Sequence, residues 1–494
     1  MAVYREHPLK ILKYSAKNIW LLIFPLIRGI WAMNLSVNQL YSWAKGAWLD
    51  IIVVLAIMLF GFGKWFFSRV DFDETSLIHT QGIIFKVKTV IPYQNLASVT
   101  REYSFYLRPF GAVRIYADTC SGILKAPDMK MLLSNKVCNH LFKKIPHAKY
   151  DENSIYKHKP VFLMIFFFSA LFSSSFSGMV YIAAFFIQGG QIAKDIFSAS
   201  AAPIEHITEE AYKSLVVNIP YAAVLIALLI AVTWLLSFFT NMLRYAGFEL
   251  RRDKHIIEIE SGSITPRKFR INLRKVNYID LRQNLIMKLF RVMSVNIKCS
   301  GYGTNSRKNM PVLMPVQTKK QVESNLGKVV KTDISFSEGF KPELKSFWQY
   351  IWLSVIISVG IVPITYILGE IFDKFRNLTL FVAIMAEIPS IWYVIINLAA
   401  LTTSRIIIED DNIQVKYAKG FVFHTVIGSR EHFIKLGIHQ TPFQKTSGIC
   451  TVSFYFHGET TEVHSVKAIR TSDVLAMNNI LFGSNKKVEP TDFS

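Results

Sequence analysis

The 494 residues contain no GxxxxGK[ST], no HExxH and no GxSxG. The first absence removes a P-loop, the second a zincin-type zinc centre, the third a nucleophile elbow. Cysteine is scarce: Cys120, Cys138, Cys299 and Cys450 stand alone, with no CxxC spacing. That excludes a disulfide framework and a cysteine-based zinc site, and reads as reduced structural thiols. His424, His432, His439, His457 and His464 cluster near the C-terminus. His432 and His439 are seven apart, as are His457 and His464, whereas zinc ligands are closely spaced. They read as surface or cross-strand histidines. Acidic residues are also few, 35 against 56 Lys and Arg, for a net charge of +21. No set of acid, base or metal ligands converges in the pattern. The expectation is a protein that is not an enzyme and carries neither cofactor nor metal.

What is abundant is apolar. Hydrophobic residues make up 51%, and phenylalanine occurs 38 times. Segments 161–187, 215–243 and 347–368 hold no charge, and 380–401 holds only Glu387. Each exceeds the roughly 20 residues that cross a hydrocarbon core as helix. Segments 51–67 and 19–33 are shorter and carry Lys64 and Arg28. The six form three closely spaced pairs, separated by long polar stretches. The layout predicted is therefore a tail and hairpin (1–67), a module (68–160), a hairpin (161–243), a module (244–346), a hairpin (347–403) and a module (404–494). The three polar regions hold 15, 21 and 10 Lys/Arg, counted over 64–160, 244–345 and 404–494, against five in the hairpin connections. An excess of Lys and Arg marks the cytoplasmic side. Both termini and all three modules are expected there, at the plasma membrane. The first apolar segment lacks a small-residue cleavage site and reads as an anchor.

The polar regions repeat one another. Between Gly82 and Gly262 the registers agree: Ile91 falls on Ile271, Leu96 on Val276, Val99 on Ile279. A two-residue difference follows, after which Val113 falls on Val295. In the third region Gly420 takes the place of Gly82, Lys445 that of Arg108, and Gly448 that of Gly111. Alternation in HIIEIE, AVRIY and DNIQVKY predicts strands. Helical patterns close each region at 128–145, 318–330 and 471–483. Thr318 with Gln321 fits a capping box, and Asp128 and Asp473 suit the start of a helix. Small antiparallel sheets closed by one amphipathic helix give an α+β module, a curved sheet or partial barrel plugged by that helix. The spacing does not choose between a pseudo-threefold and a linear cluster of the three.

The order Gly82, IPYQNL, a polar strand and LRPFGAV resembles the bacterial pleckstrin-homology-like module of YdbS/YdbT-type membrane proteins. Threefold alternation of hairpin and module is similar to the larger, YdbT-like member. Two tips depart from the pattern: Arg291 stands where a glycine is usual, and Ser447 where the Phe is usual. The resemblance implies a pleckstrin-homology-like fold and a plasma-membrane location. It also implies a smaller membrane protein partner with one hairpin and one module. It implies no reaction.

Basic and aromatic residues interleave in REYSFYLRPFGAVRIY (101–116) and PRKFRINLRKVNYIDLR (266–282). Free in solution they would suit nucleic acid. Tethered at a membrane, they have anionic lipid closer at hand, each cation contributing roughly 1 kcal/mol. The candidate lipid or partner contacts are Arg101, Phe105 and Arg108, then Lys288, Phe290 and Arg291, then Phe443 and Lys445. Arg28 and Glu387 are a candidate intramembrane pair, because an isolated charge in a span is costly. Pro25, Pro220, Pro363 and Pro389 read as kinks of the kind common in membrane helices. The function expected is an integral membrane scaffold that binds a protein partner or anionic lipid, serving envelope maintenance. The alternative is a transporter or exporter component that contributes to resistance against membrane-active compounds.

Overall fold

A computed structural model describes residues 3–15, 48–120, 127–145, 156–172, 221–299, 312–330, 339–372, 376–409, 411–457 and 462–482. The chain divides into two compact units. The first holds module 1 and the front half of module 2. The second holds the back half of module 2, module 3 and the described helices from residue 159 onward.

In the first unit, strand β1 (Val3–Arg5) precedes helix α1 (Trp48–Phe66). Strands β2 (Arg69–Phe72), β3 (Ser76–Gln81) and β4 (Val87–Pro92) follow, and β1 adds to their edge in the order β1-β2-β3-β4. Residues alternate in and out along β3, so Leu77 is fully buried beside Val70 and Phe72. Strands β5 (Leu96–Glu102), β6 (Ala112–Thr119) and β7 (Met129–Ser134) make a second sheet. Helix α2 (Asn135–Lys144) puts Cys138, Leu141 and Phe142 into the space between the sheets. The closing helix is therefore shorter than the pattern at 128–145 predicts. Six of those residues are strand, and Ser134, accepting from Val137 N, caps the helix. Asp128 accordingly lies before β7 and receives the backbone N–H of Thr119 at 2.8 Å.

Module 2 opens with β8 (Tyr156–His158), helix α3 (Phe162–Phe172) and helix α4 (Tyr221–Tyr245). Strands β9 (Glu249–Arg252), β10 (Ile256–Ser261) and β11 (Arg267–Asn272) form its first sheet, with β8 paired to β9. Its second sheet is β12 (Val276–Asn284), β13 (Val292–Cys299) and β14 (Val312–Thr318), with helix α5 (Leu285–Leu289) in the turn. Helix α6 (Lys319–Val330) closes it, and Thr318 and Gln321 bond reciprocally as the capping box requires.

Helices α7 (Trp348–Ile371) and α8 (Arg376–Thr403) then form an antiparallel hairpin. Module 3 has β15 (Arg405–Ile408), β16 (Asn412–Lys419) and β17 (Val422–Ser429) in one sheet. Strands β18 (Phe433–His439), β19 (Ile449–Phe456) and β20 (Glu462–Arg470) make the other. Helix α9 (Pro442–Thr446) sits in the turn, and α10 (Thr471–Phe482) closes the module with Asp473 in its first turn.

A short segment well before the first strand of each module's opening sheet pairs with that module. β1 pairs with β2, and the N–H of His7 reaches the carbonyl of Leu132 on β7 at 2.7 Å. β8 pairs with β9. Phe340 bridges Ile406, and the N–H of Glu343 reaches the carbonyl of Ala468 on β20. Each module thus has a leader, at residues 3–7, 156–158 and 340–343, that pairs with one of its strands.

The modules also share sheets. β5 of module 1 pairs with β11 of module 2, giving one sheet ordered β7-β6-β5-β11-β10-β9-β8. β12 of module 2 pairs with β17 of module 3, giving β14-β13-β12-β17-β16-β15. Ser98 opposes Ile271 in the first junction and Tyr278 opposes Gly428 in the second, which are equivalent positions in the repeat.

Candidate membrane-contact site

Helices α7 and α8 are long and apolar enough to cross a membrane. At 24 and 28 residues they run about 36 and 42 Å. Most of α7 shows apolar side chains outward, Ile356, Val359 and Val362 among them. The module-side end of α8 does the opposite: Ile396, Ala400 and Leu401 are buried against Tyr350 and module 3. Trp348 and Trp352 are exposed where α7 leaves the module. Tryptophan at such a position marks a membrane–water interface. Among the other described helices, Ile52–Phe66 within α1 is apolar but shorter. Segment 19–33 and much of 161–220 lie outside the described residues, as do Arg28, Pro25 and Pro220.

In modules 2 and 3 the turn between the first two strands of the second sheet comes back to these helix ends, and in module 1 the same turn meets the N-terminal leader. In module 3 the side chain of Gln444 on α9 donates to Gln349 of α7 at 2.9 Å. Phe443, beside it, is 83% exposed. In module 2, Leu285 of α5 packs with Tyr350 and Ile396, while Leu289 and Phe290 stand exposed. In module 1, the imidazole of His7 lies 3.1 Å from the carbonyl of Phe110, and Leu9 packs under Leu107. Phe105, Tyr106 and Phe110 project there. Exposed Arg108 and Lys445 flank these aromatics, and Lys288 lies 4.0 Å over the Phe423 ring. A second set of tips shows the same character. Ile84 and Phe85 are exposed beyond Ile83, which abuts Gly63 of α1, and Phe421 lies 5.7 Å from Tyr393 of α8.

Local chemistry explains the tip turns. Gly111 and Gly448 end them with φ of 65°, and Arg291 holds the same place with φ of 55°. Glycine takes this left-handed conformation freely and arginine does not. The coincidence also corrects the alignment. Gly111 and Arg291 are counterparts, so Ile115 rather than Val113 matches Val295, and no two-residue difference intervenes. Gly82, Gly262 and Gly420 agree likewise, all at positive φ.

Arg101 is not part of this surface. It is 9% exposed and donates to Tyr103 and Asn139 at 3.0 Å, with its guanidinium 4.0 Å over the Phe142 ring. It ties α2 to β5. Glu387 accepts from the hydroxyl of Ser358 within the α7–α8 hairpin. Of the clustered histidines, His464 is buried and lies 2.8 Å from the Tyr417 hydroxyl, so it is a core group rather than a surface one. His424 pairs with Asp280 at 3.1 Å across the second junction. Burial works against the Asp280 carboxylate, yet His424 and Arg282 hold its pKa below the ordinary value.

Sequence reasoning passed over Glu6. It is 1% exposed and accepts from Lys10 and Ser68, with its other oxygen 3.2 Å from the N–H of Leu132. His79 approaches to 3.7 Å. This buried knot fastens the leader of module 1. Its one visible signal is the i, i+4 spacing of Glu6 and Lys10.

Residues 24–145 and 211–329 match the family model of the bacterial PH domain. A curated relative, the UPF0699 transmembrane protein YdbT of Bacillus subtilis (strain 168), is 27% identical over 143 residues, or 28% of this chain. The chain thus carries two matches to the bacterial PH domain and is similar to a membrane protein of the YdbS/YdbT type. The aligned stretch spans 29% of that relative's length. Module 3 lies outside both matched stretches, and its kinship with the bacterial PH domains rests on shared strand order and turn geometry. No solved structure matches the chain.

Proposed function

We propose that the protein is a non-enzymatic multi-pass scaffold of the plasma membrane, with six helices in three hairpins and its PH-like modules and termini on the cytoplasmic face. The modules hold anionic lipid through their tips: Phe105 and Arg108, Phe290 and Lys288, Phe443 and Lys445. One observation carries this reading. Each tip pairs an exposed aromatic side chain with a cation, and in modules 2 and 3 the tip lies beside the module-side ends of the apolar helices α7 and α8. Aromatic rings settle at the headgroup level, and cations there gain roughly 1 kcal/mol each from anionic lipid.

Two sheet edges that no described strand covers support a partner. β4 and β18 are end strands of their sheets, whereas their counterparts β11, β17, β5 and β12 are paired between modules. A smaller membrane protein with one hairpin and one module would find there the pairing this chain already uses twice. Envelope maintenance is the role we assign to such a scaffold.

The lipid reading is tested with the full chain in nanodiscs, comparing neutral phosphatidylcholine with added phosphatidylglycerol. Anionic lipid should raise the unfolding midpoint, and Arg108→Glu with Lys445→Glu should remove most of that gain. An equal gain in the variant would sink the lipid contact. The transporter alternative has one observation of its own. A cavity of about 330 Å³ between α7 and α8 is lined by Glu387, Glu370, Arg376 and Thr365. Substrate-dependent flux in liposomes, abolished by Glu387→Gln, would favour it.

A further inference from the structure

The two sheet junctions share a register but not a charge. In the first, Glu249 and Glu260 are cross-strand partners on β9 and β10. They and Glu258 absorb the local cations: Arg251 reaches Glu249 at 2.5 Å, Lys268 reaches Glu258 at 2.7 Å, and Arg270 reaches Glu258 at 3.2 Å. In the second junction the equivalent cross-strand pair is Arg405 and Lys416, and Gln414 replaces Glu258. The acids have gone and cations stand in their place.

Those side chains wall a cavity of about 390 Å³, completed by Lys288, Arg291 and Lys319. None of the described residues lining it is acidic. Lys319 lies 3.9 Å from Glu323, and His424 is engaged by Asp280. Gln414 is 3% exposed, and its Nε2 is buried without a hydrogen-bond partner among the described residues, as is Nε of Arg405. A buried donor left unmet costs roughly 1–3 kcal/mol, so two of them beside concentrated positive charge describe a site shaped for an acceptor. Burial lowers the pKa of Lys416 to about 8, and Arg405 and Lys319 push it the same way. An anion in the cavity would relieve both effects. The volume falls in the range of small-ligand sites.

We propose that this cavity binds a phosphate-type anion, either free phosphate or the phosphate of a lipid headgroup, on Arg405, Lys416 and Gln414, with Lys288 and Arg291 closing over it. Arginine presents a fork of donors that fits phosphate oxygens, and lysine adds a point charge. Thr403, the last residue of α8, also lines the cavity, which sets it at the module-side end of the membrane hairpin. The headgroup source rests on the membrane reading above. The free-phosphate source does not.

The test uses the full chain in phosphatidylcholine nanodiscs. In one arm, inorganic phosphate and pyrophosphate are titrated against chloride at matched ionic strength, and the shift in unfolding midpoint gives a dissociation constant. In the other arm, the nanodiscs contain phosphatidic acid and bound lipid is counted by native mass spectrometry. R405E/K416E installs the acids of the first junction. R405Q/K416Q removes the charge without reversing it and guards against misfolding of the first variant. Both pairs should weaken binding at least tenfold in the arm that binds, roughly the loss of one charge-assisted contact. Phe443→Ser, which alters a tip but not the cavity, should leave that constant unchanged, so failure here and failure of the tip contact are read separately. Binding in either arm, lost in the variants, supports the site and identifies its source. No binding in both arms, or R405Q/K416Q binding like the wild type, overturns it.

Discussion

Arg101 and Arg108 lie in one basic, aromatic stretch, and the fold uses them oppositely. Arg101 points inward from β5 and is held by Tyr103, Asn139 and Phe142, while Arg108 stands in the exposed turn. Composition shows the cations, and only the fold decides that Arg101 of β5 is buried while Arg108 in the turn is not. Arg291 is a clearer case. It occupies a left-handed turn position that its two counterparts give to glycine. Arg291→Gly should therefore stabilise the protein by about 1 kcal/mol through relief of backbone strain. Denaturant unfolding measures the gain, and a loss would contradict it. If the cavity binds phosphate, the same variant should bind it more weakly. Glu6 makes an opposite prediction. Burial alone would raise its pKa, but hydrogen bonds from His79, Lys10 and Ser68 hold it at about 2. A carboxyl depressed in the folded state lends stability that is complete above its unfolded value near 4.5 and is lost as pH falls toward 2. Glu6→Gln should cost about 3 kcal/mol near neutrality, because Lys10 is left buried and unpaired. The variant should also flatten the acid limb of the stability profile. An unchanged limb would assign that limb to other carboxylates.

At the scale of elements, alternation and capping were legible and edges were not. Thr318 and Gln321 cap α6 as their spacing indicates. The sequence from 128 to 145 reads as one helix because Met129, Leu132 and Leu133 also satisfy a helical period. The strand wins because β6 offers it a ladder from Ala112 to Ala117. No local signal could show that β5 would pair with β11, or β12 with β17, since that depends on which edges the leaders leave open. Hydrogen exchange checks this arrangement. Amides of β11 and β17 are bonded on both sides and should be protected throughout. On β4 and β18, the outward-facing half of the amides should exchange quickly in the isolated protein. Uniform protection on β4 would mean that something already covers its edge.

For the whole molecule, the repeated module was visible in the recurring glycines, and the α7–α8 pair in hydropathy. The start of each repeat was not, because the leaders are three to five polar or mixed residues without a pattern of their own. The proposed orientation rests on charge asymmetry, and the proposed membrane contact on the tips. The contact is tested most directly by depth. Single cysteines at Phe105, Phe290 and Phe443, in a background with Cys120→Ser and with the buried Cys138, Cys299 and Cys450 retained, can each carry a bimane label. In liposomes of phosphatidylcholine and phosphatidylglycerol, brominated lipid should quench all three labels, and aqueous iodide should quench them weakly. Strong iodide quenching with no effect of brominated lipid would place the tips in bulk water and contradict the account.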